Sequence, residues 1–213
     1  RPPRSTLFPY TTLFRSGIMG GTFDPPHFGH LYAAKAAYEA AKLDHILFIP
    51  NGVPAYKALE GRVTGKEHRY AMVQRLIAEE SWCELSGMEC EREGNTYTAD
   101  TLLELTGENP DIQYELIVGS DSLKEMKHWY HPEIIFRLAG VIVLLRNQDT
   151  AETLVQTVKR YETEYGAQIR FVPFEKQEIS STLIRRKVKN GERLTGLVPE
   201  GVEQYIAEHR LYR

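Results

Sequence analysis

The sequence predicts a doubly wound α/β fold, a parallel sheet with helices on both faces and a small helical C-terminal part. Three observations carry that prediction. Short runs rich in Val, Ile and Leu alternate with helical patterns along the chain. The first apolar run ends in GGTFDPPHFGHL (20–31), two glycines leading through a stiffened loop into a helix start. The chemically distinctive residues fall just after the apolar runs, where open α/β sheets bind their ligands.

The elements follow in order. Ile18-Met19 closes the first strand, and a helix is expected over about 28–42. HILFIP (45–50) is short and apolar throughout, as a strand buried on both faces is. A loop at 51–66 carries Pro54, Tyr56 and Lys57. A helix at about 67–80 precedes strand-like CELSGMECER (83–92), and Glu93-Gly94-Asn95 turns the chain into a helix near 98–107. IQYELIVG (112–119) and GVIVLLR (140–146) read as strands, 150–165 as a polar helix, and IRFVP (169–173) as the last strand. Helices near 181–190 and 199–209 close the chain. There is no repeat or low-complexity stretch.

Residues 1–16, RPPRSTLFPYTTLFRS, reverse-translate without a break into a string that resembles a common sequencing-library adaptor. They lack the unbroken apolar core and small-residue cleavage site of a targeting peptide. They are set aside as non-native, with native sequence expected from Gly17 and the first half of the first strand missing or mimicked by Leu13-Phe14. The remainder, 17–213, is expected to form one domain, its helical C-terminal part about 174–213. A hydrophobic content of 42% and charged content of 26% are those of a soluble globular protein. A net charge of −3 without a basic block argues against a generic nucleic-acid binder. No apolar run approaches the roughly 18 residues that span a bilayer. Cys83 and Cys90, on one strand, would face opposite ways, so free thiols and a reducing, cytoplasmic compartment are expected. Composition leaves the oligomeric state open, a homo-oligomer included.

Two helix starts carry the chemistry. At the first, free N–H groups and the positive dipole end suit an anion. His27 and His30, a turn apart, share one side of the helix, and Gly29 omits a side chain where a phosphate would approach the backbone. Spacing alone leaves packing or surface histidines as an open reading. The whole string GTFDPPHFGH resembles the GxFxPxHxGH signature of the nucleotidyltransferase superfamily. At the second, EISSTLIRRKV (178–188) sets Ser180, Ser181 and Thr182 where a helix begins, with Arg185 one turn inside. A plain N-cap is the alternative. The string resembles the ISSTxIR signature of adenylyltransferases in the same superfamily, where this helix start holds ATP phosphates.

Further strings extend the resemblance over essentially all of 17–213, to the bacterial nicotinate-nucleotide adenylyltransferases. They are FIPNGVPAYK (48–57), HRYAMV (68–73), EREGNTYTADTL (91–102), LIVGSDSL (116–123), HWYHPEIIFRLA (128–139) and GLVPEGVEQYIAEHRLY (196–212). One departure stands out: the loop that often reads PPHK in the family is PAYK here, which keeps Lys57 but offers no histidine.

The resemblance implies transfer of AMP from ATP to nicotinate mononucleotide, giving nicotinate adenine dinucleotide and pyrophosphate. Residue chemistry agrees, because a phosphate monoester is already anionic at neutral pH and needs no general base. Positioning and electrostatics then supply most of the catalysis. The implied catalytic set is His27, His30 and Arg185, with His30 donating to the α-phosphate, His27 supporting the phosphates nearby, and positive charge added wherever either is protonated. ATP would also meet Gly21, Thr22, Phe23 and Gly29, and Ile179, Ser180, Ser181 and Thr182 at the second helix start. Gly119, Asp121 and Ser122 fall to the adenosine side, Asp121 as a ribose partner or an ordinary helix cap. Trp129 would stack on the pyridine ring, with backbone N–H groups at Thr98 and Tyr130 on its carboxylate and Tyr97 beside them. Lys57 and Arg146 could meet the mononucleotide phosphate. Mg²⁺ is expected with ATP, held by substrate phosphates and waters with no protein ligand assigned. Alternatives are a sister enzyme taking nicotinamide mononucleotide or phosphopantetheine, a cytidylyltransferase (whose RTEGIST-like late signature is absent), and a nucleotide binder without chemistry.

Overall fold

A computed structural model describes residues 14–54, 63–145, 150–175 and 177–213. The strands are β1 (Phe14–Gly21), β2 (His45–Pro50), β3 (Val53–Pro54), β4 (Cys83–Leu85), β5 (Asn95–Thr96), β6 (Ile112–Gly119), β7 (Ala139–Leu145) and β8 (Ile169–Pro173). The helices are α1 (Phe28–Ala41), α2 (Lys66–Leu76), α3 (Met88–Glu91), α4 (Thr98–Glu108), α5 (Ser120–Glu125), α6 (Pro132–Leu138), α7 (Ala151–Tyr165), α8 (Ser181–Lys189) and α9 (Glu200–Glu208).

Six strands form one sheet in the order β4-β2-β1-β6-β7-β8, and every pairing is parallel. Ile18 of β1 lies opposite Leu47 on one side and Leu116 on the other. Winding runs outward in one direction through β2 and β4 and in the other through β6, β7 and β8. The order therefore reverses between β1 and β6, and the crevice beyond their carboxyl ends is where such sheets bind ligands.

Alternation along the strands divides the interior. Ile46, Phe48, Ile117 and Ile142 pack with Ala34, Met72, Ile184 and Val202 of α1, α2, α8 and α9. Leu47, Leu116, Val118, Val141 and Val143 face the other way, onto Leu102, Leu123, Ile135 and Leu154 of α4 to α7. Among the described residues no helix is long and apolar enough to cross a membrane.

The strands at 45–50, 112–119 and 169–173 lie where sequence places them. The 83–92 segment differs. Only Cys83–Leu85 pairs with β2, and beyond Gly87 the chain coils into α3. There Glu89 takes a hydrogen bond from the Thr101 hydroxyl, and Cys90 lies against the Pro50 carbonyl. The two cysteines thus occupy different elements, and both are free thiols. The short α5 and α6 lie in what sequence left as a connection; neither is long enough to show a helical period.

Strand β1 starts at Phe14, so three residues of the segment set aside are strand residues. Arg15 is built in: its guanidinium pairs with the buried Glu115 and donates to the Ala41 carbonyl, and its amide donates to Asp44. Leu13 lies outside the described residues.

Candidate active site

The signature loop leaves β1 by a strained step. Phe23 has φ 51°, a left-handed value uncommon for an aromatic residue. That turn folds its ring beneath Gly21, where an added Cβ would sit 3.2 Å from it. The ring is 2% exposed, edge-on to His30 at 5.0 Å and tilted against Phe48 at 6.0 Å. Phe23 therefore underpins the histidine.

His27 is the N-cap of α1, and its amide donates to His30 Nδ1 at 3.2 Å. The two imidazoles stack with centroids 3.8 Å apart. An acceptor at Nδ1 leaves the neutral ring's proton on Nε2, so His30 offers a donor from its far side. His27 is buried, its Nδ1 has no hydrogen-bond partner among the described residues, and burial lowers its pKa to about 4. At neutral pH it is uncharged, so the positive charge that a protonated His27 would bring is not supplied. Gly29 has a second reason besides phosphate approach, since a Cβ there would stand 2.9 Å from His27 Nδ1. The helix start is also less open than its sequence suggests, because the Phe28 amide already donates to the Leu197 carbonyl at 3.0 Å.

The second motif meets the first directly. Ser180 caps α8 by accepting from the Leu183 amide at 3.1 Å. The Ser181 hydroxyl donates to the Pro25 carbonyl at 2.8 Å. Arg185 donates to the Asp24 carbonyl at 2.6 Å and to the Thr182 hydroxyl at 3.2 Å. The cleft beside them, about 260 Å³, is lined by His27, Gly29, His30, Gly119, Ile179, Ser180 and Ser181 among others. Asp121, exposed, and Ser122, half-buried, follow Gly119 in the first turn of α5 and are not part of that lining.

Thr22 is held from two sides. It is buried, its hydroxyl accepts from the Asn51 amide group at 3.4 Å, and its carbonyl is held by Arg69. Gly21 likewise gives its carbonyl to the Asn51 amide at 2.9 Å. These bonds tie the expected ATP-contact residues Gly21 and Thr22 to the loop after β2.

Sequence reading assigned no role to Arg69, which organises this region. It is 1% exposed, and its guanidinium donates to the carbonyls of Thr64 (2.9 Å), Thr22 (2.8 Å) and Gly52 (2.6 Å) and to Asn51 Oδ1 (2.9 Å). One buried cation thereby joins the loops after β1 and β2. A signal was available: Arg69 shares the buried face of α2 with Met72, Val73 and Leu76, a helical spacing that places a charge among core residues.

On the acceptor side, the Tyr97 and Tyr130 rings lie 4.4 Å apart, and Tyr130 meets His131 edge-on at 4.2 Å. This contact sets the start of α4, at Thr98, beside the Trp129-Tyr130 turn. Trp129 is half-buried against the second core, its amide donating to the Met126 carbonyl at 3.0 Å. Lys57 and Arg146 lie outside the described residues.

A switch-point crevice closed by a histidine loop and a hydroxyl-capped helix is the arrangement of the nucleotidyltransferases. In keeping with that class, a family model described as cytidylyltransferase-like matches residues 18–187. Curated relatives narrow it. A protein of Lachnoclostridium phytofermentans described as "Probable nicotinate-nucleotide adenylyltransferase" is 41% identical over 196 residues, 92% of this chain and 98% of the relative. A Clostridium botulinum protein of the same description is 36% identical over 200 residues, 93% of this chain and 98% of that protein. The chain belongs to the nicotinate-nucleotide adenylyltransferase family. The fold agrees with a solved structure, "Plasmodium falciparum nicotinic acid mononucleotide adenylyltransferase complexed with NaAD": TM-score 0.74 at 18% identity, covering 93% of this chain and 97% of that one.

Proposed function

We propose that this protein transfers AMP from ATP to nicotinate mononucleotide, releasing pyrophosphate and forming nicotinate adenine dinucleotide. The observation that carries the reading is the direct joining of the two phosphate-binding motifs, Ser181 to Pro25 and Arg185 to Asp24, at the sheet's switch point. The two curated relatives above, at 41% and 36% identity, bear that enzyme's name.

The acceptor's phosphate monoester, with a second pKa of about 6, attacks the α-phosphorus as an anion. One P–O bond forms to the acceptor while the bond to pyrophosphate breaks. No proton need be removed, so the protein's task is to align two polyanions and to meet the charge on the transferring phosphoryl group. His30 Nε2–H serves as the α-phosphate donor. Neutral His27 packs its ring against His30 and keeps it oriented. The start of α8 receives the β- and γ-phosphates, and Arg185, two of whose five donor sites are engaged internally, turns the rest toward them. Gly119, Asp121 and Ser122 meet the adenosine. Trp129 gives a face to the pyridine ring while the amides of Thr98 and Tyr130 hold its carboxylate. Lys57 and Arg146 meet the mononucleotide phosphate.

Mg²⁺ accompanies ATP and neutralises phosphate charge. Mg²⁺ leans on substrate phosphates and keeps several waters, so the cation is assigned to the nucleotide. The enzyme acts in the cytoplasm, where both substrates are met.

The test is pyrophosphate release from Mg-ATP with nicotinate mononucleotide, nicotinamide mononucleotide and phosphopantetheine in parallel, and with His30→Ala as control. Release favouring the nicotinate acceptor and lost in the variant is expected. Preference for another acceptor would overturn the substrate, and no release with any acceptor would overturn the activity.

A further inference from the structure

We propose that Tyr212 is a positioning residue for the signature loop, acting through the side chain of Asp24 and so on the triphosphate site. This rests on the reading of that site as the ATP site. Asp24 stands directly after the strained Phe23 and is 9% exposed. Its Oδ1 accepts from the Tyr212 hydroxyl at 2.6 Å, and its Oδ2 accepts from the Thr64 amide at 3.3 Å. Its carbonyl accepts from Arg185, and the next carbonyl, of Pro25, accepts from Ser181. One residue of the loop after β1 thus joins three distant segments to it: the approach to α2, the first turns of α8 and the turn beyond α9.

The Tyr212 bond is the strong one on the carboxylate. An O–H donor to an ionised acceptor at 2.6 Å lies in the charge-assisted range, whereas the Thr64 amide contact is long, at 3.3 Å. Tyr212 is delivered by fixed backbone. After α9 the chain turns through left-handed conformations at Arg210 (φ 51°) and Tyr212 (φ 64°), and the Leu211 amide donates to the Ile206 carbonyl at 3.0 Å. Leu211 and the Tyr212 ring pack against the core shared by α1, α2, α8 and α9. Burial and the adjacent Asp24 both push the phenol's pKa up, so it stays a donor throughout the working range.

The consequence concerns geometry. Without the phenol hydroxyl, a largely buried carboxylate keeps one weak donor and must turn elsewhere for solvation. Tied to Tyr212, the carboxylate anchors the loop backbone on which the Asp24 and Pro25 carbonyls orient Arg185 and Ser181, and its release lets that backbone shift. A displacement of about 1 Å in such a site costs roughly a hundredfold in rate.

The experiment is a double-mutant cycle of Tyr212→Phe and Asp24→Ala at 25 °C. It reads kcat and the KM for ATP in pyrophosphate release, and binding of a non-hydrolysable ATP analogue by calorimetry. Thermal melts establish that each variant is folded. Tyr212→Phe is expected to lower kcat/KM for ATP about tenfold or more, and the double variant to fall no further than the worse single one. Wild-type kcat, KM and analogue affinity in folded Tyr212→Phe would overturn the proposal, whatever its melting temperature, as would additive losses. Asp24→Ala removes the acceptor itself and serves if Tyr212→Phe melts too low; unchanged kinetics there are equally decisive against. Failure of the functional reading is distinct: the wild-type protein itself would then neither release pyrophosphate nor bind the analogue.

Discussion

The His27 amide and His30 Nδ1, 3.2 Å apart, form a hydrogen bond that decides which nitrogen of His30 carries the proton of the neutral ring. With Nδ1 occupied as an acceptor, the neutral ring presents Nε2–H. Replacing His30 by alanine removes one donor aimed at developing charge, for which losses of about 10²–10³ in kcat are usual. His30→Asn, a shorter neutral donor, should retain more activity than alanine. Equal activity of His30→Ala and wild type in pyrophosphate release would remove His30 from the chemistry.

Burial of His27 has a pH signature. Its folded-state pKa, about 4, lies below the ordinary 6.5, so between those values the unfolded chain binds the extra proton. The stabilisation is complete above pH 6.5 and is lost as pH falls toward 4. At pH 5 the loss amounts to about 2 kcal/mol. Denaturant unfolding at pH 7.5 and pH 5 should show a larger drop for wild type than for His27→Gln, and identical drops would sink the assignment.

The α/β class, most strands and the two helix starts were legible because each depends on local patterns. Runs such as HILFIP and IQYELIVG are apolar on both faces, and only a parallel sheet covered on both sides accommodates that. What could not be read was the linkage between distant segments. Tyr212 bonds to Asp24 and Leu197 to Phe28 across long chain separations that leave no periodicity. Thr22 fits the signature in either orientation, and only the buried Arg69 turns its carbonyl inward. The strand expected over 83–92 stopped early because its pairing with β2 ends at Leu85.

Trp129 separates binding from chemistry. A ring stacked on the acceptor's pyridine loses its face in Trp129→Leu, and base–aromatic stacking is worth about 1–3 kcal/mol. The KM for nicotinate mononucleotide should rise roughly fivefold to a hundredfold, with the KM for ATP unchanged. A rise in the ATP constant alone would place Trp129 outside the acceptor site.

Arg15 and Glu115 form the ion pair that anchors the start of β1 to β6. Glu115 is 5% exposed, so Arg15→Met leaves a buried carboxylate without its cation, at a cost of about 3–5 kcal/mol. Exchanging both partners, Arg15→Met with Glu115→Gln, should recover much of that loss. Any replacement of residues 1–16 that omits a cation at position 15 should melt lower than one that keeps it. Urea unfolding reads all three, and an Arg15→Met variant as stable as wild type would show the pair to be dispensable.

Arg69 combines stability with site geometry in one side chain. Its four acceptors are all neutral, so the guanidinium is held by hydrogen bonds without a carboxylate partner among them. Burial works against the charge, but a guanidinium stays protonated across the accessible pH range. Lysine brings the same charge on one nitrogen and cannot span acceptors on three separate segments. Arg69→Lys should therefore destabilise almost as much as Arg69→Met, by about 3–5 kcal/mol, since unsatisfied buried acceptors cost roughly 1–3 kcal/mol each and partly relax. The Thr22 and Gly52 carbonyls it holds belong to the two loops that border the candidate site. Whatever folded fraction remains at 15 °C should show a lowered kcat per folded molecule. Stability loss with full specific activity would confine Arg69 to the core, and a stable Arg69→Lys protein would show that charge alone is what α2 supplies.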